Sequence, residues 1–581
     1  FPTIRQLSSN SKYFPYRYGQ SFWAMAGKTW GDTVIIPLLK KTAEAGFNDA
    51  AKDIIGYDEN TLSALWKLAT EEHYKKYMEG KSDSLAGRMV VSRATAGETN
   101  ISPSISPDGK YLAFFSEKDL FTLDLFLADA RTGKIIKKLS SVIRDHEIDD
   151  FNFIESSGTW SPDGKKFAFV IFSKGVNKLA ILDVAKSRIT KEYRIPGVQS
   201  FSNPSWSPDG EKIVLTGQVD GIGDLYLFNM NTFETDRLTI DFPSNIHPAW
   251  SPDGNYIVYS QERINDVTGK KKFSFDIAVY DVRRKTTEVI DLFGDAFNLN
   301  PFFSPDGKGI FFLSDADGFR NLYKYELETE RVYRLTDYPT GISGITKYSP
   351  AISVPSGGKL IAYNYYRRND YEIWTAEESE FTKTEIDRNF TDMRAATLPP
   401  LSHSAINIVD KALSSRAEMP QLKTESINTV PYKSKFKLDY ISNSGSIGVS
   451  TGMYRNGMQG SINAIFSDMV GNNQLYTSLN LNGEIYDFGG QVAFINQKGK
   501  VKWGGAVSHI PYLTGGMNLV LDTITYDDTE LPVYNFMVDY IRMFEDNISL
   551  FASLPLSQTR RFESQASSSW YYYRFDRYNY Y

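Results

Sequence analysis

The chain has 581 residues, of which 41% are hydrophobic and 23% charged, a composition typical of folded globular units. Its formal net charge of -6 provides none of the basic surface that nucleic-acid binding requires, so we expect no nucleic-acid partner. Cysteine is absent, which excludes disulfides, thiolate catalysis and cysteine-ligated zinc. The first residues, Phe1-Pro2-Thr3, carry no signal-peptide pattern, so we expect a processed N-terminus or a fragment.

Residues 1–86 are predicted to form a small α-helical unit. Apolar residues between Tyr16 and Glu79 fall largely at helical spacing; they include Phe22, Trp23, Met25, Val34, Ile35, Leu38, Leu62, Leu65, Trp66 and Leu68. The predicted helix N-caps are Asp32 and Asn60, and the predicted helix ends are Gly46, Gly56 and Gly80.

Residues 87–387 repeat an apolar anchor residue followed by the turn Ser-Pro-Asp-Gly. The six anchors are Ile105, Trp160, Trp206, Trp250, Phe303 and, before an altered turn at 353–358, Ile352. Successive anchors are 44 to 55 residues apart, a period typical of β-propeller blades. A β-rich run follows each turn. We therefore predict a mainly β fold centred on a six-bladed β-propeller with about four strands in each blade.

The turn motif suits a chain reversal, because Pro presets φ, Asp bonds the local backbone and Gly supplies a positive φ. We predict that each anchor fills the layer between neighbouring blades, and that Met89 to Ser92 supply the strand that closes the ring. A second proline precedes most anchors and is predicted to lie where a strand begins, since a missing amide is tolerated there. These prolines are Pro103, Pro204, Pro248, Pro301 and Pro350.

These repeats resemble the TolB-like, WD40-like Pro-Asp repeat family over about half of the chain. The resemblance implies a periplasmic or extracellular propeller that binds other proteins or ligands over its faces and central channel. Every motif residue quoted also has a structural role in a blade, so the motif supports the fold rather than a function. The propeller faces and central channel are the predicted binding surface, without assigned residues.

Residues 388–431 are polar and rich in Pro and Ser, which indicates a linker. Residues 432–581 then show short alternating segments separated by Gly, Asn and Asp turns, which predicts antiparallel β-strands. The predicted strands are 447–454, 460–466, 475–481, 488–495 and 501–510.

Two segments of this last region, 465–472 and 482–490, resemble the C-terminal part of large bacterial TolB-propeller proteins that end in an outer-membrane β-barrel. The chain has no apolar run long enough for a transmembrane helix, and the tyrosine-rich end from Trp570 to Tyr581 would suit an aromatic girdle. We therefore predict a partial outer-membrane barrel. The alternative is a soluble antiparallel sheet, and six or seven strands cannot close a barrel, which needs at least about eight.

The helical unit resembles the helical tail of a gluzincin-like zinc metallopeptidase domain through residues 18–23 and 61–77. That family carries a zinc-binding H-E-x-x-H helix, and no such motif occurs here. The five histidines are too far apart in sequence to form its pair: His73, His146, His247, His403 and His509. We interpret His73 and His146 as solvated surface groups and predict no metal site.

No other catalytic signature is present. The chain contains neither the G-x-S-x-G nucleophile elbow of α/β-hydrolases nor a phosphate-binding G-x-x-x-x-G-K-S loop. The acidic loops around Asp220, Asp224, Asp315 and Asp317 could bind calcium, but turn capping is the expected use of Asp-Gly pairs. We therefore predict no catalytic residue and no cofactor.

Two hypotheses of function follow. The first is a non-catalytic envelope protein of a Gram-negative bacterium, located at the outer membrane or in the periplasm, whose propeller is a docking platform for a protein or peptide. The outer membrane itself would be contacted through the C-terminal region. The second is a larger zinc metallopeptidase whose H-E-x-x-H helix lies before Phe1, with the propeller presenting substrate.

Overall fold

A computed structural model describes residues 1–10, 12–119, 122–145, 147–240, 243–267, 270–400, 408, 430–443, 448–451, 456–483, 487–557 and 560–580. The chain forms two compact units, Phe1–Gln421 and Leu422–Tyr581. No helix among the described residues is both long and apolar enough to cross a membrane. The boundaries predicted between a helical unit, propeller, linker and C-terminal region stay predictions.

The first unit begins with a small helical region around a buried cluster of Phe22, Met25, Leu38, Leu62 and Trp66. Its helices are α1 (Ile4–Ser9), α2 (Pro15–Trp30), α3 (Ile35–Ala45), α4 (Phe47–Ile54) and α5 (Glu59–Met78). Two hydrogen bonds join this region to later parts of the unit: Ser82 N, after α5, donates to Asp337 O at 3.0 Å, and Lys28 Nζ of α2 donates to Leu398 O at 2.7 Å.

The predicted helix ends are confirmed, and the predicted starts are not. Gly46, Gly56 and Gly80 have φ of +83°, +91° and +77° and follow α3, α4 and α5. The N-cap of α5 is Asp58, whose Oδ1 accepts from Thr61 N at 2.7 Å, instead of Asn60. Asp32 opens a 3₁₀ turn ahead of α3 and does not cap it.

The six-bladed propeller is confirmed, and each blade is an antiparallel sheet whose strands follow one another in sequence. Strand β1 (Arg88–Val91) and the short helix α6 (Arg93–Ala96) precede blade I. Blade I has β2 (Asn100–Ile105), β3 (Tyr111–Ser116), β4 (Asp124–Asp129) and β5 (Ile135–Ser140). Blade II has β6 (Asp150–Phe151), β7 (Thr159–Trp160), β8 (Lys166–Ser173), β9 (Val176–Asp183) and β10 (Arg188–Tyr193). Blade III has β11 (Ser200–Trp206), β12 (Lys212–Val219), β13 (Ile222–Asn229) and β14 (Thr235–Arg237).

Blades IV to VI complete the ring. Blade IV has β15 (Asn245–Trp250), β16 (Tyr256–Val267), β17 (Lys270–Asp281) and β18 (Thr286–Ile290). Blade V has β19 (Leu299–Phe303), β20 (Gly309–Ser314), β21 (Asn321–Glu326) and β22 (Arg331–Arg334). Blade VI has β23 (Ile352–Ser353), β24 (Leu360–Arg367) and β25 (Asp370–Glu377), and β26 (Thr384–Ile386) then pairs with β22 of blade V.

Strand β1 closes the ring, as predicted for Met89 to Ser92. It pairs antiparallel with β25, with Met89 opposite Trp374 and Val91 opposite Ile373. The N-terminal end of the propeller thereby supplies the fourth strand of its last blade.

The core of the propeller lies between the blades, in six hydrophobic clusters that each join two neighbours. The cluster between blades I and II contains Phe115 and Phe167, and the cluster between blades VI and I contains Ile373 and Phe114. The other four join blades II to III, III to IV, IV to V and V to VI in turn. Every blade therefore buries both faces, which is the packing that a closed propeller provides.

Each Ser-Pro-Asp-Gly turn joins the strand that ends at the anchor residue to the next strand. The same hydrogen bonds stabilise every one of these turns. In blade II, Ser161 Oγ donates to Asp163 Oδ1 at 2.6 Å, and accepts from Lys166 N at 2.9 Å. The turn glycines have φ between +67° and +77°, a conformation that favours residues without a Cβ. The hydrogen bond from Ser161 lowers the pKa of Asp163, which therefore accepts these bonds as an ionised carboxylate at neutral pH.

We predicted that the second proline of the repeat lies where a strand begins. This is wrong for every such proline except the one in blade VI. Pro103, Pro204, Pro248 and Pro301 lie inside the first strands of their blades, where the pairing register shifts at a β-bulge. Because the bulge leaves one residue out of the ladder, the missing amide is tolerated inside the strand.

The second unit is one antiparallel sheet of long strands. Its strands are β27 (Lys437–Asn443), β28 (Gly448–Thr451), β29 (Asn456–Ser467), β30 (Asn473–Gly483), β31 (Phe488–Asn496), β32 (Lys502–Tyr526), β33 (Thr529–Pro555) and β34 (Arg561–Tyr580). They are paired in the order β27, β29, β30, β31, β32, β33, β34, and β28 pairs with β29. Strands β27 and β34 end this path, and no pairing joins them among the described strands.

Four of the five predicted strands of this region were too short, whereas β28 (Gly448–Thr451) lies within the predicted strand 447–454. The last predicted strand ended at Ile510, but β32 continues to Tyr526, and the 27-residue β33 was missed. Residues Trp570 to Tyr580 of the tyrosine-rich end lie in β34, whereas Tyr581 and most of the predicted linker lie outside the described residues.

Candidate functional site

The central channel of the propeller contains a cavity of about 300 Å³. All six blades contribute to its wall, so the cavity lies on the propeller axis. The lining includes the strand ends before the turns and the turn prolines that follow them: Ser104, Ile105, Pro107, Thr159, Trp160, Pro162, Ser205, Trp206, Pro208, Ala249, Trp250, Pro252, Phe302, Phe303, Ser353 and Pro355. The wall therefore combines apolar rings with small hydroxyl side chains, and with the polar groups of Asn203, His247 and Asn300.

Two of the three tryptophan anchors are bonded to the neighbouring blade, whereas Trp206 Nε1 donates to Gly210 O of its own blade at 3.1 Å. Trp160 Nε1 donates to Ser104 O at 3.0 Å, and Trp250 Nε1 donates to Ser205 O at 3.2 Å, in each case in the preceding blade. The predicted position of the anchors between blades is confirmed for these two residues. With their N–H groups bonded to backbone, the indoles present apolar surface to the channel.

The residue before each bulge proline adopts a left-handed backbone conformation. Ser102, Asn203, His247 and Asn300 have φ between +50° and +57°, which is unusual for residues other than glycine. Their side chains bond the adjacent blade: Ser102 Oγ, for example, donates to Phe153 O at 2.8 Å. These residues join the blades around the axis, and three of them, Asn203, His247 and Asn300, also line the cavity.

His247 is fixed as a neutral imidazole. Its side chain is 6% exposed, its Nδ1 accepts from Asn300 N at 3.4 Å, and its Nε2 lies 2.8 Å from Tyr348 O. Because Nδ1 is an acceptor, Nε2 carries the proton and donates to the carbonyl. Burial lowers the pKa of His247 to about 4, since an apolar surrounding disfavours the imidazolium.

Arg320 continues this contact chain away from the channel. Its Nη2 donates to Asn300 Oδ1 at 3.1 Å, and the same oxygen accepts from Ala351 N at 3.1 Å. Burial lowers the pKa of Arg320 to about 10, so the guanidinium stays charged at neutral pH. A line of contacts therefore runs from His247 through Asn300 to a buried cation.

The sequence singled out none of these residues as a binding group. His247 was one of five scattered histidines, and Asn300 and Arg320 were not considered. The signal that could have found the first two is their shared place in the repeat, directly before the second proline. Arg320 has no such place, because its position depends on how blades V and VI meet.

The acidic loops are used within the fold. Asp224 Oδ1 accepts from Thr239 Oγ1 at 2.9 Å, and its Oδ2 pairs with Arg237 at 2.5 Å. Asp317 pairs with Arg334 at 3.0 Å, and Asp315 Oδ1 accepts from Phe297 N at 2.7 Å. Within the described ranges, no group of three or more His, Asp or Glu side chains is placed to hold a metal ion.

The histidines lie apart. His73 was predicted to be a solvated surface group, but in α5 it is half-buried, and its Nε2 is buried with no partner among the described residues. His509 is in the second unit, where its Nδ1 lies 2.6 Å from Asp546 Oδ1. His146 and His403 lie outside the described residues, so the interpretation of His146 stays a prediction.

A model of the TolB β-propeller domain matches residues 143–267, which include blade II, blade III and the first two strands of blade IV. The propeller is TolB-like. No curated protein matches the chain.

Several solved structures are similar to part of this chain at low identity. TolB from Acinetobacter baumannii is 19% identical, over 58% of this chain and 73% of that chain, with a TM-score of 0.36. The putative TolB from Agrobacterium tumefaciens is 21% identical, over 48% and 91%, with a TM-score of 0.34. Oligogalacturonate lyase from Vibrio parahaemolyticus is 13% identical, over 51% and 95%, with a TM-score of 0.34. These likenesses concern the fold alone.

Proposed function

We propose that this chain is a non-catalytic envelope protein of a Gram-negative bacterium whose TolB-like propeller is a docking platform for a protein or peptide. The observation that carries the proposal is the central channel, which all six blades line with apolar rings and small hydroxyls. A cavity of this lining suits an inserted peptide segment, because apolar contact gives affinity and a few polar groups give orientation. The resemblance to TolB-like propellers favours a periplasmic position.

Cross-linking from the channel tests the docking function. Ser356 is exposed and lines the cavity, so a photoreactive benzoylphenylalanine placed there faces an inserted partner. Lys191 is exposed on β10, the outermost strand of blade II, and provides the matched control. We expect irradiation of intact cells to give an adduct of discrete mass from position 356 and none from 191. Adducts from both positions, or from neither, would contradict docking in the channel.

The second part of the proposal is that the C-terminal sheet associates with the outer membrane. Residues directly opposite each other on antiparallel strands share a face of the sheet. One row across seven strands is entirely apolar: Leu438, Phe466, Leu475, Phe494, Gly505, Leu550 and Ala566. A row on the opposite face is entirely polar: Ser442, Asn463, Ser478, Gln491, Ser508, Asn547 and Ser569.

The apolar face lies largely uncovered in this unit. Leu438 is 53% exposed and Leu550 is 64% exposed, and among the described residues of the unit Val538 is the one hydrophobic side chain in the buried class. Charged residues interrupt this face, among them Arg542, Asp546 and Arg574, and these three have ion-pair partners. Arg542 is 2% exposed and pairs with Asp487 at 2.8 Å, Asp546 pairs with His509 at 2.6 Å, and Arg574 pairs with Asp576 at 2.9 Å. One apolar and one polar face is the alternation of strands that separate lipid from water.

Charge placed on either face tests membrane association. Leu519 belongs to the apolar face, and its neighbour Asn518 belongs to the polar face; both are exposed. We expect Leu519→Lys to shift the protein out of the carbonate-washed outer-membrane fraction and Asn518→Lys to leave it there. An apolar face that contacts lipid does not tolerate a buried charge, whereas a polar face does. Equal fractionation of the two variants and the wild type would contradict the membrane role.

A further inference from the structure

A second cavity of the first unit, of about 330 Å³, has an excess of positive charge. We call it the Arg320 pocket and define it by Arg17 of α2, Asp315, Arg320, Lys347 and Tyr371. These residues come from the helical region and from blades V and VI. Three cationic groups and one carboxylate line the space, so it carries a net positive charge at neutral pH.

Arg320, which lines this pocket, has two hydrogen-bond donors without an acceptor. Its Nη2 donates to Asn300 Oδ1 at 3.1 Å and lies 3.5 Å from Ser349 O. Its Nε and Nη1 are buried and have no hydrogen-bond partner among the described residues. Buried guanidinium donors without an acceptor are costly, and a carboxylate oxygen is a charge-assisted acceptor for such a donor.

Aromatic rings lie beside the cationic groups of this pocket. Lys347 Nζ lies 3.5 Å from the centre of the Phe297 ring, and Arg17 Cζ lies 5.6 Å from that of Tyr366. These two aromatic rings line the cavity. Desolvation lowers the pKa of Lys347, against the opposing effect of Asp315. An anionic group attached to an apolar group therefore matches both the net positive charge and the aromatic wall.

We propose that the Arg320 pocket binds a carboxylate of a peptide ligand, with the Arg320 guanidinium as a hydrogen-bond donor and the aromatic wall against an adjoining apolar side chain. The carboxylate can be a chain terminus or an acidic side chain. Asn300 connects the pocket to the channel, because it lines the channel cavity and accepts from Arg320. That the ligand is a peptide rests on the proposed docking function.

Calorimetric titration of the full chain with three probe peptides tests this proposal. Acetyl-Ala-Ala-Phe has a free terminal carboxylate, its amide has no carboxylate, and acetyl-Ala-Glu-Phe-amide has one on a side chain. We expect one or both of the carboxylate peptides to bind and the amide not to bind. Binding of the first identifies a chain terminus as the source, and binding of the third identifies an acidic side chain. Binding of the amide equal to that of the acid would overturn the proposal.

Three variants locate the binding. Lys347→Gln, at an exposed position, is expected to weaken binding about tenfold through loss of one charged contact, and Arg320→Gln at least as much. Arg283→Gln, exposed in the turn between β17 and β18, is the control and should bind as the wild type. If Arg320→Gln does not fold, the Lys347 variant still decides. Wild-type affinity in Lys347→Gln would overturn the proposal that the Arg320 pocket binds the carboxylate. The absence of carboxylate binding in a protein that still cross-links from position 356 would overturn it as well, but would leave the docking function intact.

Discussion

The propeller and the C-terminal sheet use the same antiparallel pairing but solve the problem of apolar surface differently. In the propeller, each hydrophobic cluster is shared by two blades, and the sixth cluster joins the last blade to the first. In the C-terminal sheet, a full apolar row from Leu438 to Ala566 has no second layer among the described residues of the unit. The propeller buries its apolar residues between its own blades, whereas the sheet leaves apolar side chains such as Leu438 and Leu550 exposed.

This difference separates two sources of stability. The propeller gains its free energy of folding from burial between blades, which depends on its own residues. The sheet gains main-chain hydrogen bonds from strands of up to 27 residues, but little burial. We therefore expect truncating substitutions to lower the free energy of unfolding more in the propeller than in the sheet. Hydrogen exchange of peptides from each region measures the two effects separately.

The largest difference is expected from truncating a core side chain. Phe167 is 0% exposed and lies between blades I and II, so Phe167→Ala should lower the free energy of unfolding of blade II by about 3–5 kcal/mol. Leu550 is 64% exposed in β33, so Leu550→Ala should change the stability of its strand by less than about 0.5 kcal/mol in detergent. Comparable losses in the two regions would show that the sheet is covered as the blades are.

The next largest effect is expected from acid, through His247 of the propeller. The pKa of His247 is about 4 in the folded state and about 6.5 in the unfolded chain. Between these values the unfolded chain binds one more proton, so stability is fully present above pH 6.5 and falls as the pH drops toward 4. This group should remove about 3 kcal/mol between pH 7 and 4.

Replacing His247 with Asn, the residue at the equivalent positions of blades III and V, isolates the contribution of the histidine to the pH dependence of stability. Asn occupies the equivalent positions 203 and 300, with φ of +50° and +52°, so His247→Asn fits the backbone. We expect the variant to show a flatter loss of blade IV protection between pH 6.5 and 4 than the wild type. His509→Asn, in the other unit, should leave the blade IV profile unchanged. An unchanged profile in His247→Asn would mean that the histidine is accessible to protons in the folded state.

The sequence was sufficient for the blades because every blade repeats the same local chemistry. Trp160, Trp206 and Trp250 each end a first strand and precede a turn whose residues are chosen for its backbone conformation. Such a signal is local, so six copies identify the number of blades and the position of the closing strand. The prolines were misplaced because a bulge depends on pairing with the second strand, which no single repeat displays.

The channel and the Arg320 pocket could not be predicted in this way. Arg17, Asp315 and Lys347 come together only when blades V and VI meet beneath the helical region. The left-handed conformation of His247 and Asn300 likewise depends on the neighbouring blade. In the C-terminal sheet, β33 was missed because charged residues on its apolar face, Arg542 and Asp546, interrupt its alternation. Their partners Asp576 and His509 lie on other strands.

The smallest expected effect concerns the turn that defines the repeat. Ser161 Oγ bonds both Asp163 and Lys166 N, so Ser161→Ala should leave the Lys166 amide without its partner and lower the stability of blade II by about 1–2 kcal/mol. Ser568→Ala, at an exposed position of β34, is the control and should stay within about 0.5 kcal/mol of the wild type. If neither substitution changes the hydrogen exchange of its region, Pro and Gly alone produce the chain reversal. Ser161 would then contribute no more to stability than the exposed Ser568 does.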